Sequence, residues 1–217
     1  MSRLNLGVDE VLTTTRAVRK RLDFDRPVEF SLIRECLDIA VQSPTGSVGE
    51  FWHFMLVDDP DKRAALGDLY RRGWPVYAEQ PYSIYNLHKG DSSMTEIAGR
   101  ATDSAEYLAE NMGRAPWLVV PLITGRYDKL DTSATAGAFG SILPAVWSFM
   151  LAARERSLGT CWTTIHLMYE REAADILGIP YEQYTQVAMV PVAYTVGTQF
   201  RAAPRKDLDR YIHRNQW

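Results

Sequence analysis

The chain has 217 residues, 46% hydrophobic and 24% charged, which suits one large globular domain and not a disordered segment. With 24 Lys and Arg against 27 Asp and Glu, the formal net charge is −3, which gives no support to a general nucleic-acid binder with its basic excess. Two cysteines, Cys36 and Cys161, allow at most one bridge, so a disulfide scaffold is excluded.

The start, MSRLNLGVDEVLTTT, has no apolar signal-peptide core. No uninterrupted apolar run approaches the ~20 residues of a membrane helix, so a cytoplasmic location with no membrane partner is expected. Residues 8–15 read as a short helix leading into Arg16-Ala17-Val18-Arg19-Lys20-Arg21. Asp25-Arg26-Pro27-Val28 is a turn, and Ser31 is a candidate N-cap for a helix to Val41 with Leu32, Ile33, Cys36, Ile39 and Ala40 on its apolar face. Ser43 to Glu50 is a loop of small residues. His53 to Val57 is a strand, and Asp58-Asp59-Pro60-Asp61 starts another helix.

Residues 71–93 carry Trp74, Tyr77, Tyr82 and Tyr85 among Gly73, Pro75, Pro81 and Gly90 without a clear period. Long aromatic loops in compact domains are more often functional than idle. Ile97, Ala101, Ala105, Leu108 and Met112 mark a helix over 94–112, and Trp117 to Ile123 is an apolar run expected of a buried strand. A long apolar helix spans 134–157 despite Pro144, with Gly159-Thr160-Cys161-Trp162-Thr163-Thr164 directly behind it. A short helix over 170–177, a strand from Val187 to Val196 and a basic tail from Phe200 to Trp217 complete the chain. Helices and strands interleave without strict βαβα alternation, which indicates one α+β domain over 1–217 around a central sheet.

Several chemistries lack their motifs. There is no G-x-G-x-x-G and no G-x-x-x-x-G-K-[ST]. Gly46-Ser47-Val48-Gly49 is one residue short of a nucleophile elbow. The four His and two Cys show no metal-ligand spacing, so no metal is expected, and no catalytic side chain is assigned. Cys36 lies on an apolar helix face and reads as a small buried hydrophobe. An enzyme built this way would rely on a bound cofactor.

Three features remain, in a telling order: Arg16 and Arg19 near the N-terminus, the Ser43-Pro44-Thr45-Gly46-Ser47 loop running into Trp52-His53-Phe54, and Leu158-Gly159-Thr160-Cys161-Trp162 after the long helix, ahead of the basic tail. This arrangement resembles the FMN-dependent nitroreductase family, with its R-[RS]-x-R-like opening, its [AS]-P-[ST]-x-x-N-x-Q-P-W loop and its later G-L-G-[TS]-x-W. The resemblance runs from about Thr13 to the C-terminus. It implies a nitroreductase-like α+β fold, with a central mixed sheet flanked by helices, built as an intertwined homodimer with FMN at the interface. It implies that Arg16, Arg19 and Arg205 hold the phosphate. It also implies that Ala17, the Ser43–Ser47 loop (Ser43, Pro44, Thr45, Gly46, Ser47), Ser141, Trp162, Thr163, Thr164 and Ile165 line the flavin. Electrons would pass from NAD(P)H through the flavin to a small aromatic or nitro- or quinone-like acceptor. Trp74, Tyr77, Tyr82 and Tyr85 are the substrate candidates, on a lid over 71–93, because aromatic side chains with polar tips suit the wall of a flavin cleft.

The chain also departs from the family pattern. Val48-Gly49-Glu50-Phe51-Trp52 stands where N-x-Q-P-W is usual, and Ala17 stands where Ser is common. These departures keep open a flavin-binding or storage protein with little turnover. Relatives that fragment flavin or dehalogenate substrates on the same fold are a further alternative.

Overall fold

The computed structural model describes residues 3–92, 94–128 and 130–217. Ser93, the last residue of the expected lid, lies outside them. Among the described residues six α-helices and six strands follow in chain order: α1 (Val8–Thr14), β1 (Leu22–Asp23), α2 (Phe30–Ala40), β2 (Trp52–Val57), α3 (Pro60–Ala78), α4 (Thr95–Asn111), β3 (Trp117–Thr124), α5 (Thr132–Glu155), β4 (Leu158–Thr160), α6 (Glu170–Leu177), β5 (Tyr184–Gln186) and β6 (Val190–Thr195).

The central strand β3 is apolar throughout because both of its faces are covered. Trp117, Val119 and Ile123 point into a core with Leu32, Ile33, Cys36, Ile142, Val146 and Phe149 of α2 and α5. Leu118, Val120 and Leu122 point into a second core with Leu66, Leu69 and Tyr70 of α3, Leu108 of α4 and Ala173, Ala174 and Leu177 of α6. The period of two along one strand thus feeds two cores and produces a layer of helices on each face. β2 takes one edge of β3, with Trp52 opposite Ile123 and Val57 opposite Leu118. β5 and β6 share the other edge. β6 is paired in turn by β1 and β4. All these pairs are antiparallel, and the parallel contribution is an isolated bridge between Ala17 and Thr160.

Several boundaries differ from those the sequence suggests. α2 begins at Phe30 with Glu29 as N-cap, so Ser31 lies inside the helix and caps nothing. The expected strand over 187–196 is shorter, β6 running from Val190 to Thr195, and β5 over Tyr184–Gln186 is a strand ahead of it that the sequence did not suggest. The Ser43–Glu50 loop contains a 3-10 turn over Gly46–Val48.

The largest correction falls on 71–93, where α3 continues to Ala78 through Pro75. Asp59 caps this helix by accepting from the Lys62 N–H (2.9 Å), and Leu66, Leu69, Tyr70 and Gly73 are its buried side at helical spacing, with Trp74 and Tyr77 half-buried beyond them. Turns follow from Gln80 onward. Trp74 and Tyr77 are therefore helical, and only Tyr82 and Tyr85 lie in irregular chain.

α5 is, by length and composition, apolar enough to cross a membrane, contrary to the expectation for this chain. Gly, Ser, Thr and Ala interrupt its apolar run without making it polar. Here it is a core helix, with Ile142, Ala145, Val146, Phe149, Met150 and Ala153 buried. Both cysteines are free and buried.

Candidate functional site

The site grows from the seam between the N-terminal segment and β4. Val18 N–H donates to the Thr160 carbonyl (2.8 Å), and Ala17 bridges Thr160. Gly159 makes this approach possible, because a Cβ there would stand 2.7 Å from Thr195 Cγ2, 2.9 Å from Leu22 Cδ2 and 3.0 Å from Val18 Cβ. Extended chain alternates its side chains, so buried Val18 sends Ala17 and Arg19 the other way. Of the four cations in 16–21, Lys20 pairs with Asp103 (2.5 Å) and Arg21 is bound to backbone carbonyls. Among the described residues neither Arg16 nor Arg19 has a carboxylate partner; Arg19 makes a long contact to Ser104 Oγ (3.4 Å) and interacts with the buried Cys161 thiol.

Beyond β4 the chain runs past this seam. Thr163 exchanges hydrogen bonds with Met189: the Met189 N–H donates to the Thr163 carbonyl (2.9 Å), and the Thr163 hydroxyl donates to the Met189 carbonyl. Trp162 is half-buried, Thr164 exposed and Ile165 buried. α3 presses on Ile165 through Gly73, where a Cβ would stand 2.6 Å from Ile165 Cγ2 and 3.1 Å from its carbonyl oxygen.

These elements enclose a pocket of about 180 Å³ lined by Arg19, Tyr70, Trp74, Tyr77, Ile84, Ala105 and Trp162 to Ile165. One phosphate candidate, four flavin candidates and two substrate candidates therefore share one cavity. Tyr70 is a lining residue that the sequence reading missed. Its phenol is buried, and desolvation raises its pKa, which keeps it protonated.

Tyr82 and Tyr85 do not line the pocket but pack on Tyr77 and Trp74, which do. Tyr77 and Tyr82 ring centroids are 6.4 Å apart, and Trp74 lies 5.4 Å from Tyr77. Trp74 Nε1 donates to the Tyr85 hydroxyl (3.2 Å), which donates to the Glu106 carboxylate. The Ile84 N–H donates to the Tyr77 hydroxyl (2.8 Å). The Tyr85–Glu106 bond joins the sequence neighbours of Ile84 and Ala105, both of which line the pocket.

The Ser43–Ser47 loop lies elsewhere on the chain, against α5. Gly46 N–H donates to Ser141 Oγ (3.0 Å), Ser141 donates to the Gly137 carbonyl (3.0 Å), and the Ser43 and Ser148 hydroxyls are 3.0 Å apart. Ser141 thus holds the loop. Ser47 (φ 55°) and Val48 (φ 57°) are both left-handed, which is costly for a β-branched residue, and Val48 is 90% exposed. Glu50 is exposed as well. Arg205 stands in the exposed C-terminal tail.

Behind Ile165, His166 is fully buried and neither of its ring nitrogens has a well-formed hydrogen bond. Burial pushes its pKa down to about 3. Four residues on, Glu170 is held by Arg126 through paired bonds of 2.8 Å and accepts from the Gln186 N–H (2.9 Å), which anchors the turn over Ile165–Tyr169 to β5.

The family model described as Nitroreductase family matches residues 12–194. Among solved structures, a variant of the FMN- and NADPH-dependent nitroreductase NfnB from Sphigopyxis sp. strain HMH is 19% identical, with 98% of this chain and 100% of that one covered and a TM-score of 0.71. A BluB-like flavoprotein from Clostridium difficile 630 is 16% identical, covering 98% and 100%, with a TM-score of 0.69. An iodotyrosine deiodinase bound to FMN and 3-iodo-L-tyrosine is 18% identical, covering 94% and 96%, with a TM-score of 0.67.

Proposed function

This chain belongs to the nitroreductase family, and from that premise we propose that it is a cytoplasmic, homodimeric, FMN-dependent oxidoreductase that carries electrons from NAD(P)H to a small aromatic or nitro- or quinone-like acceptor. The observation that carries the reading is the single pocket uniting Arg19, Trp162 to Ile165, Trp74 and Tyr77. The residues fit FMN on two counts. Arg16 and Arg19 are guanidinium groups free of carboxylates among the described residues, which suits a phosphate dianion. The walls are flat aromatic and small polar side chains, which suits a ring system.

Bound FMN would supply the two-electron redox chemistry. The chain's own residues bind and orient. Arg16, Arg19 and Arg205 hold the phosphate, while Ala17, the Ser43–Ser47 loop, Ser141 and Trp162 to Ile165 frame the ring. Trp74 and Tyr77 form the acceptor wall, and Tyr82 and Tyr85 cover it and exclude water. No side chain is assigned as general acid, and protons come from solvent.

A cavity of about 180 Å³ is smaller than the ~300–1,000 Å³ of a typical ligand site, so one chain encloses only part of a cofactor. The second copy completes it. An apolar face is available for that copy: Leu143 (36% exposed) and Trp147 (40%) on α5, Val8 (75%) and Leu12 (47%) on α1, and Ile39 (42%) on α2. Beside it is a groove of about 380 Å³ lined in part by Leu6, Val11 and Leu151.

The test is the absorbance spectrum of the purified protein and its response to NADH and NADPH. A flavin spectrum that bleaches rapidly with either donor, and returns on adding an aromatic nitro compound or quinone, is expected. A bound flavin that neither donor bleaches would leave a storage protein as the better reading.

A further inference from the structure

Arg21 sits outside the pocket, yet its guanidinium is more fully engaged than that of Arg19, which lines it. Nε donates to the Val196 carbonyl (2.9 Å), Nη1 to the Gln199 carbonyl (2.9 Å) and Nη2 to the Gly197 carbonyl (2.6 Å). The Arg21 carbonyl in turn accepts from the Val196 N–H (2.9 Å). One planar fork therefore ties down the stretch that follows β6. The backbone is shaped to meet it: Gly197 has φ +72°, and a Cβ there would stand 3.0 Å from Arg21 Nη2. The Arg21 guanidinium also lies 4.0 Å from the centroid of the Phe200 ring. Buried Arg154, which among the described residues has no carboxylate partner and donates to Thr14 Oγ1 (3.3 Å), faces the same ring at 4.9 Å. Two guanidinium groups thus hold one aromatic ring just ahead of the exposed tail.

After Phe200 the chain changes character. Except for Ala203, residues 201–217 are exposed, and among the described residues no hydrogen bond or ion pair joins them to the body. The tail carries five cations, Arg201, Arg205, Lys206, Arg210 and Arg214, against two carboxylates, Asp207 and Asp209. Arg205 is five residues past Phe200, so it lies within about 18 Å of that ring. With so short a reach, the direction in which the chain leaves Phe200 decides where Arg205 can go.

We propose that Arg21 is a positioning residue: by clamping residues 196–199 and stacking on Phe200 it aims the C-terminal tail so that Arg205 reaches the cofactor phosphate. This rests on the reading of Arg205 given above. Arg21 itself does not touch the phosphate. Its contribution is to pre-order the tail, which lowers the entropy lost when Arg205 binds.

The experiment is a cycle on the full chain, measuring dissociation constants for FMN and for riboflavin. Arg205→Ala is expected to weaken FMN about tenfold and leave riboflavin unchanged. Arg21→Ala should weaken FMN by no more than Arg205→Ala, leave riboflavin unchanged, and add nothing in the double variant. Arg21→Lys, which keeps the charge without the planar fork, should behave like Arg21→Ala. Full rescue by lysine, equal weakening of both ligands, or a double variant equal to the product of the singles would each overturn the proposal. If Arg21→Ala fails to fold, Gly197→Ala disrupts the same clamp from the other side.

A second readout is independent of Arg205. Release of the tail by limited trypsin after Arg201 or Arg205, followed by intact mass, should be several-fold faster in Arg21→Ala than in the parent. Equal rates would show that Arg21 does not order the tail. If Arg205→Ala leaves FMN binding untouched while tail release accelerates, the phosphate reading of Arg205 fails and the clamp stands.

Discussion

His166 makes the stability of this protein sensitive to mild acid, and the size of the effect follows from its burial. The side chain is 0% exposed, neither ring nitrogen has a well-formed hydrogen bond, and desolvation pushes its folded pKa down to about 3 from the ordinary 6.5, only weakly opposed by Gln186. The sign is fixed by which state takes the proton. As pH falls below 6.5 the unfolded chain protonates this imidazole and the folded chain does not, so acid favours unfolding until the pH approaches 3. At pH 5.0 the unfolded state is 1.5 units below its pKa, which corresponds to ~2 kcal/mol lost relative to pH 7.5. This figure hardly depends on the folded value, provided that value stays well under 5. For a chain of this length ~2 kcal/mol corresponds to a melting temperature lower by about 4–8 °C.

The assay is thermal or urea unfolding at pH 7.5 and 5.0 of the parent and of His166→Leu, which removes the imidazole together with its weak contact to Gln186, a loss common to both pH values. Glu35, whose carboxylate is held below its ordinary pKa mainly by its bond to Arg156, stabilises the fold above 4.5 and loses that contribution only below it. Its effect is therefore small at pH 5.0 and common to both proteins. The parent should lose ~2 kcal/mol more than the variant. Equal losses would mean that the folded state accommodates the imidazolium, and the reasoning from burial would fail.

Arg16→Ala or Arg19→Ala should raise the FMN dissociation constant about tenfold, or ~1.4 kcal/mol, while riboflavin binding hardly changes; equal weakening of both would make these arginines structural. Gly73→Ala and Gly99→Ala should have opposite signs. The first drives a Cβ to within 2.6 Å of Ile165 and should destabilise by about 1–2 kcal/mol, and the second meets nothing within 4 Å on exposed α4 and should stabilise by up to ~1 kcal/mol, both read from denaturant midpoints. Trimming Tyr82 and Tyr85 to Ala should change kcat/KM unequally across aromatic acceptors with FMN content unaltered. Constant acceptor ratios with lower thermal stability would reduce the segment to packing. Glu50→Gln should move the flavin reduction potential only slightly, because Glu50 is exposed and its field is screened. A large rise would place that carboxylate against the flavin in the dimer.

Much of the frame was legible because period and charge carry it. The apolar run at Trp117 to Ile123 identifies a strand covered on both faces, and the structure supplies a core for each face. Of the features singled out in the sequence, Arg19 meets Trp162 to Ile165 in one cavity, while Arg16 and the small-residue loop do not line it. What escaped did so for physical reasons. Gly73 and Pro75 look like helix breakers, but Gly73 is there to let α3 approach Ile165, so the helix continues to Ala78. Tyr70 looks like any core aromatic at helical spacing, and only the fold shows that it faces a cavity. The role of Ser141 in holding Gly46 joins residues 95 apart, a distance no local pattern spans.

The way Arg19 meets Trp162 has a consequence for how the protein is made. β6 is paired by β4 and also by β1 and β3, so the sheet closes only when residues 190–195 are in place. The Val18–Thr160 bond likewise links residues far apart in the chain. At ~5–20 residues per second of synthesis, a nascent chain spends on the order of ten seconds or more with its N-terminal arginines exposed before that strand is made. Long-range pairing of this kind also slows folding in general, because the loop entropy is lost before the contacts are gained. On the proposed flavin reading, cofactor supplied during synthesis would meet no assembled pocket and would act as a ligand for the finished chain, raising yield by trapping the native state and not by guiding the early steps.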